Sequence, residues 1–257
     1  MGSMTDPTTQ ALAVRDLTKV FGQHVAVDTL SLDIPRGSIY GIVGPNGAGK
    51  TTMISMVAGL ARPTAGRAWV AGHDVWEDPL PAKQAMGLLV EGVPVFDRLS
   101  GREYLQYLGG IRGLPQAEVE QRATELLDAL GLADAGPKYI VDYSAGMTKK
   151  ILLAGALLHN PEILILDEPL EAVDPVSGRH IQQILRRYAE RGGTVVLSSH
   201  VMELVEGLCD YVAIIHQGRV LAAGHVDEVR QGASLVDTFV RHVGGRDLDD
   251  DTLGWLR

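Results

Sequence analysis

The stretch Gly44-Pro45-Asn46-Gly47-Ala48-Gly49-Lys50-Thr51-Thr52 sets a lysine and two hydroxyls directly behind three glycines. The spacing Gly44-x-x-x-x-Gly49-Lys50-Thr51 is that of a loop that wraps phosphate. Glycines at 44, 47 and 49 let the backbone curl, so that successive N–H groups turn inward toward anionic oxygens. A helix beginning near Gly49 adds its positive end, worth ~0.3–1 kcal/mol per charge. Lys50 can reach the β and γ phosphates, and the Thr51 hydroxyl can ligate Mg2+. The loop therefore predicts nucleotide binding, and leaves the reaction open.

A second stretch, Ile163-Leu164-Ile165-Leu166-Asp167-Glu168-Pro169, runs four apolar residues into two acids. Charges at the end of a buried strand lie where open α/β sheets hold their ligands. Asp167 suits an outer-sphere contact to Mg2+, and Glu168 can polarise a water that attacks the γ-phosphate, a role worth ~10²–10⁴-fold. A third apolar run, TVVLSSH, ends in His200, whose imidazole can donate to the γ-phosphate and sense its presence. No Asn-Lys-x-Asp or Thr-Lys-x-Asp segment follows, so guanine selection of the GTPase kind is not expected. Adenine stacking on an aromatic ring is expected instead. Phe21 is the candidate, although a phenylalanine beside a turn can equally serve packing.

These groups need elements to hold them. Residues 11–43 alternate apolar and polar positions, which predicts half-buried antiparallel strands leading into one buried strand, IYGIV. TTMISMVAGLA has helical spacing, and GRAWVAG returns as a strand. Over about 98–160 the pattern turns helical, in REYLQYLGGIRG and QAEVEQRATELLDALGL, with Gly113-Leu114-Pro115 between them. ILILD, TVVLSSH and YVAIIH then alternate with helical segments, which implies parallel pairing with covered faces. The expected fold is α/β: a P-loop core with a mostly parallel sheet, an N-terminal antiparallel β subdomain and an inserted helical subdomain. Residues 11–225 form the expected domain, and 226–257 a helical segment with an acidic tail. Residues 1–10 are expected to be a disordered leader, MGSM having the look of an expression-tag remnant.

The 257 residues carry a formal charge of −9, and no basic stripe is present, which argues against nucleic-acid binding. Cys209 stands alone, so no internal disulfide is possible and a reducing compartment fits. The longest apolar runs fall short of the ~20 residues needed to cross a bilayer. No secretory segment opens the chain, and Asp6 stands where myristoylation needs Ser or Thr. A cytoplasmic protein is expected.

Phe21, GPNGAGKTT, YSAGM at 143–147, ILILDEP, EAVD at 171–174 and SSH at 198–200 follow one another in an order similar to that of the ATP-binding subunits of ABC transporters. The resemblance spans residues 11 to about 225, and YSAGM ahead of ILILDEP is its most specific part. It implies an ATPase whose two copies face each other head to tail. Ser144 and Gly146 of one copy would close on the γ-phosphate held by the other copy's loop, with Asp174 at the dimer contact. Tyr-Ser-x-Gly-Met resembles the exporter branch, whose membrane subunits are separate chains. Localisation at the inner face of the cell membrane, through that permease, is implied.

Three positions depart from the family. Glu91 stands in place of the glutamine after MGLLV. It would either ligate Mg2+ more directly or withdraw to shape the permease contact. Ala145 replaces a common glycine, which costs little unless its φ is positive. Glu171-Ala172-Val173 replaces the usual Ser-Gly-Leu ahead of Asp174. Val93, Pro94, Val95, Phe96 and Leu99 could form an apolar docking groove, or simply cover the helical insertion's own core. A non-transport ABC ATPase, for example in cofactor assembly, is the alternative. Residues 52–143 are too few and lack the heptads of a chromosome-type coiled coil.

Overall fold

The computed structural model describes residues 6–90, 92 and 96–244. In chain order the elements are β1 (Leu12–Phe21), β2 (His24–Ile34), β3 (Ile39–Val43), α1 (Lys50–Val57), β4 (Ala65–Val70), β5 (His73–Asp74), α2 (Pro79–Ala85), β6 (Met86–Leu89), α3 (Gly101–Ile111), α4 (Gln116–Ala129), α5 (Ala145–Leu157), β7 (Ile163–Leu166), α6 (Pro175–Glu190), β8 (Thr194–Ser199), α7 (Met202–Leu208), β9 (Tyr211–His216), β10 (Arg219–His225), α8 (Val226–Arg230) and α9 (Leu235–Val243). They build a six-stranded sheet, ordered β10-β9-β3-β8-β7-β6, and a four-stranded one, ordered β2-β1-β4-β5.

The larger sheet is parallel except for β10, which runs antiparallel to β9 at one edge. Its central strands are buried on both faces because their side chains alternate between two cores. Ile39 and Val43 of β3, Leu164 and Leu166 of β7, and Val195 and Leu197 of β8 enter one core with α3 to α7. Tyr40 and Ile42, Ile163 and Ile165, and Val196 enter the other, which they share with α1 and the antiparallel sheet. Cys209 is buried in the first, and burial pushes its thiol up.

The helical segment folds as α3, α4 and α5. Ser100 and Glu103 close a capping box on α3, and Val119, Ala123 and Leu127 put the apolar face of α4 inward. Leu99 packs against this core, whereas Phe96 stays 51% exposed and meets Tyr107 edge-on at 4.7 Å. Val93, Pro94 and Val95 of the expected groove lie outside the described residues. The C-terminal segment packs back as α8 and α9, burying Val226, Val229 and Leu235 in the first core.

Within the expected leader, the described residues begin at Asp6. Pro7–Thr9 form a single 3-10 turn whose first N–H groups are answered by Asp6, which accepts from the Thr8 backbone at 2.9 Å.

The registers place the site. Val43 pairs with Ser199 across β3 and β8, and Leu166 with Leu197 across β7 and β8. Three neighbouring strands therefore end together, one opening into the glycine loop, one into Asp167-Glu168 and one into His200.

Candidate functional site

The loop after β3 turns into α1 through Gly49, whose φ of +103° only glycine adopts freely. A Cβ there would also lie 2.4 Å from the Ala26 carbonyl oxygen, so the loop needs both freedom and close approach. Lys50 follows, only 5% exposed. Its Nζ donates to the carbonyls of Gly44 at 2.7 Å and Pro45 at 3.2 Å, and stands 3.8 Å from Glu168 Oε1. Burial pulls the Lys50 pKa down, while the carboxylates of Glu168 and Asp167 hold it up. A buried ammonium this sparsely neutralised favours further negative charge in the loop.

Asp167 is fully buried. Its Oδ1 accepts from Ser198 Oγ at 2.5 Å, and its Oδ2 is buried with no hydrogen-bond partner among the described residues. The next residue, Glu168, has a left-handed backbone, φ +47°. That turn sends its side chain to Lys50 on one side and to His200 on the other, where Nδ1 lies 3.1 Å from Oε2. With Nδ1 so engaged, Nε2 is the imidazole nitrogen left for a substrate.

A cavity of about 480 Å³ gathers Asn46, Gly47, Ala48, Gly49, Lys50, Thr51, Thr52, Glu168 and His200 in one wall, with Phe21 at its rim. Phe21 is 53% exposed, with Lys19 Nζ 5.0 Å from its ring centre, so the ring is free to stack rather than fill a core. Glu171, of the EAVD segment, also lines the cavity, as do His24 and Ala26, which no motif spacing marks. A larger cavity, about 800 Å³, opens where α5 and α6 end. Arg122 there donates to the Leu158 carbonyl at the end of α5 at 2.8 Å. Arg187 and Arg191 stand at the C-terminal end of α6, where positive charge suits the helix dipole.

Mg2+ fits the donor set. It takes oxygen ligands from one or two carboxylates plus substrate phosphates, not from a dedicated cage. The bare Asp167 Oδ2 is such an oxygen. Glu91, the third expected metal ligand, lies outside the described residues.

Ser144, Gly146 and Asp174 are not in the cavity wall. Ser144 caps α5, its Oγ accepting from the Met147 N–H at 3.3 Å. A Cβ on Gly146 would come 2.9 Å from the Ala172 carbonyl, so the signature helix rests directly on the loop before Asp174. Asp174 caps α6, accepting from the N–H groups of Val176 and Ser177, and the Ser177 N–H in particular holds its pKa below the usual carboxylate range. Ala145 has no positive φ and carries its methyl without strain, whereas Ala172, at φ +60°, stands where the family's glycine would be unstrained.

The family model for the ABC transporter matches residues 27–171. This chain belongs to the ABC transporter family. It is 37% identical over 213 residues to the linearmycin resistance ATP-binding protein LnrL of Bacillus subtilis (strain 168), covering 83% of this chain and 68% of that protein. It is 37% identical over 227 residues to the daunorubicin/doxorubicin resistance ATP-binding protein DrrA of Streptomyces peucetius, covering 88% and 69%. A solved structure of an ATP-binding subunit of an ABC transporter superposes with a TM-score of 0.85 at 28% identity, over 91% of this chain and 100% of that one. The chain is thus an ABC transporter ATP-binding subunit of the α/β fold expected, and an ATPase.

Proposed function

We propose that this ABC subunit closes head to tail with a second copy around ATP and Mg2+, and so drives export through separate membrane-spanning chains. The observation that carries the reading is a division of labour. Lys50, Glu168 and His200 share one cavity, while Ser144 and Gly146 stand outside it. The start of α5 is a helix N-terminus with N–H groups to offer an anion, so a second copy can supply what the first lacks. Neither half is complete alone, which links ATP binding to closure.

In this reading the loop N–H groups and Lys50 hold the β and γ phosphates, and Phe21 stacks on the adenine. Thr51 and Asp167 would hold Mg2+, which when bound neutralises charge on the phosphate oxygens. Glu168 takes a proton from the attacking water as its oxygen bonds to the γ-phosphorus. The bond from that phosphorus to the bridging oxygen breaks, and ADP leaves with the electron pair. His200 pairs with Glu168 through Nδ1, and donation from Nε2 to the γ-phosphate requires a proton on both ring nitrogens.

No helix among the described residues is long and apolar enough to cross a membrane, and the spanning segments are assigned to partner chains. The relatives' names, both of drug-resistance ATP-binding proteins, support export as the direction. Phe96, exposed beside Tyr107, belongs to the face proposed to meet the permease on the inner side of the membrane.

The test is the mass of Glu168→Gln by light scattering, with and without saturating ATP and Mg2+. A nucleotide-dependent shift to twice the monomer mass is expected. A variant that stays monomeric under those conditions, even with its membrane partner present, overturns the closed-dimer reading.

A further inference from the structure

We infer that Ser198 is a positioning residue for the hydrolytic carboxylates, one buried hydroxyl that both aims Asp167 and holds the turn at Glu168. The inference rests on the roles proposed above for those two acids.

The proton count fixes what the hydroxyl does. The Glu168 backbone N–H, 2.9 Å away, can only donate, so Ser198 Oγ accepts there. Its single proton is then free to go to Asp167 Oδ1, 2.5 Å away. One oxygen of Asp167 is thereby committed, and Oδ2 is left as the oxygen available to a cation. Without the hydroxyl both oxygens would be bare in a fully buried carboxylate, with no hydrogen bond to fix the plane of the group.

The second bond acts on the backbone. Pairing between β7 and β8 ends at Leu166↔Leu197, and Asp167 N donates the other way, to Leu89 of β6, at 2.7 Å. The next N–H, that of Glu168, has no ladder partner and is taken by the Ser198 side chain instead. Glu168 sits there in the left-handed region that L side chains avoid, and a conformation of that kind persists only where its surroundings hold it. The same turn delivers its carboxylate to Lys50 and His200. Ser198 acts through both acids without itself lining the cavity that holds Lys50.

Ser198→Ala, Ser198→Thr and Ser198→Val separate this from plain packing, since Thr and Val share a shape and differ in the hydroxyl. Two readouts are needed: kcat and KM for ATP, and the affinity for a fluorescent ATP analogue in EDTA and in Mg2+. Ala and Val are expected to lower kcat by about 10–100-fold, the usual cost of losing a group that orients a metal ligand. Their affinity in EDTA stays at the wild-type level, while the gain on adding Mg2+ shrinks by about tenfold. Thr keeps both. Ala with wild-type kcat and a wild-type Mg2+ gain overturns the inference; should Ala fail to fold, equal behaviour of Thr and Val does so. A wild-type protein with no Mg2+ gain at all would instead remove the roles proposed for Asp167, and this inference with them.

Discussion

Glu168 lies between the Lys50 ammonium and the His200 imidazole, at 3.8 and 3.1 Å, on a backbone bent into the left-handed region. Each neighbour tells against a passive acid at a strand end, because a capping carboxylate needs neither a buried ammonium nor an imidazole beside it. Lys50 supplies charge from a site 5% exposed, where a unit charge is poorly screened. Lys50→Ala is therefore expected to weaken ATP binding by about tenfold or more, measured by equilibrium titration. Glu168→Gln removes the proposed proton acceptor and keeps the shape. It is expected to bind ATP as wild type does and lose about 10²-fold in kcat. Turnover at the wild-type rate would take the base assignment away from Glu168. These residues were legible because their chemistry sits at the ends of apolar runs. The role of Ser198 was not: it reads as one of three hydroxyl residues in a buried strand, and its partners lie across the sheet at Asp167 and Glu168.

At the scale of elements, the signature helix and the loop before Asp174 are one mechanical unit. Gly146 lets α5 rest on the Ala172 carbonyl, and Lys150 of α5, itself buried, donates to Ser177 of α6 at 3.3 Å. The start of α5 therefore touches both the loop that leads to the α6 cap and α6 itself. Ala172 holds φ +60° within this contact. An alanine there costs ~1–2 kcal/mol over the right-handed form, and glycine gives back part of the difference as chain entropy. Ala172→Gly is expected to raise the unfolding free energy by about 0.5–1 kcal/mol in urea titration. No gain would mean that the loop stores no strain. The departure from the family's Ser-Gly-Leu was visible in sequence. Its consequence depends on a backbone angle that spacing does not reveal.

At the scale of the molecule, two cores share the sheet, and a histidine far from the site reports on their integrity. His159, just past α5, donates to the Met86 carbonyl of β6 at 3.0 Å. Burial first, then the positive charges of Arg112 and Arg122, push its pKa down to about 4. An unfolded chain takes a proton there near pH 6.5, and the folded one does not until about 4. This contribution to stability is present above pH 6.5 and is lost as pH falls through that window, by at most about 1.4 kcal/mol per pH unit. Urea titrations between pH 7.5 and 4.5 are expected to fall more steeply for wild type than for His159→Gln. Parallel curves would show that His159 is not held neutral.

Local chemistry was enough to foresee the phosphate loop, the paired acids, the strand-ended histidine and the alternation of strands and helices, because each depends on residues adjacent in the chain. Which strands lie side by side is a matter of long-range pairing. Only the fold could bring Val43 next to Ser199 and Leu166 next to Leu197, and so join Lys50, Glu168 and His200 in one cavity. The fold alone also left Ser144 and Gly146 outside that wall and tied Asp167 to Ser198, since both follow from distances between segments that sequence neighbours do not constrain.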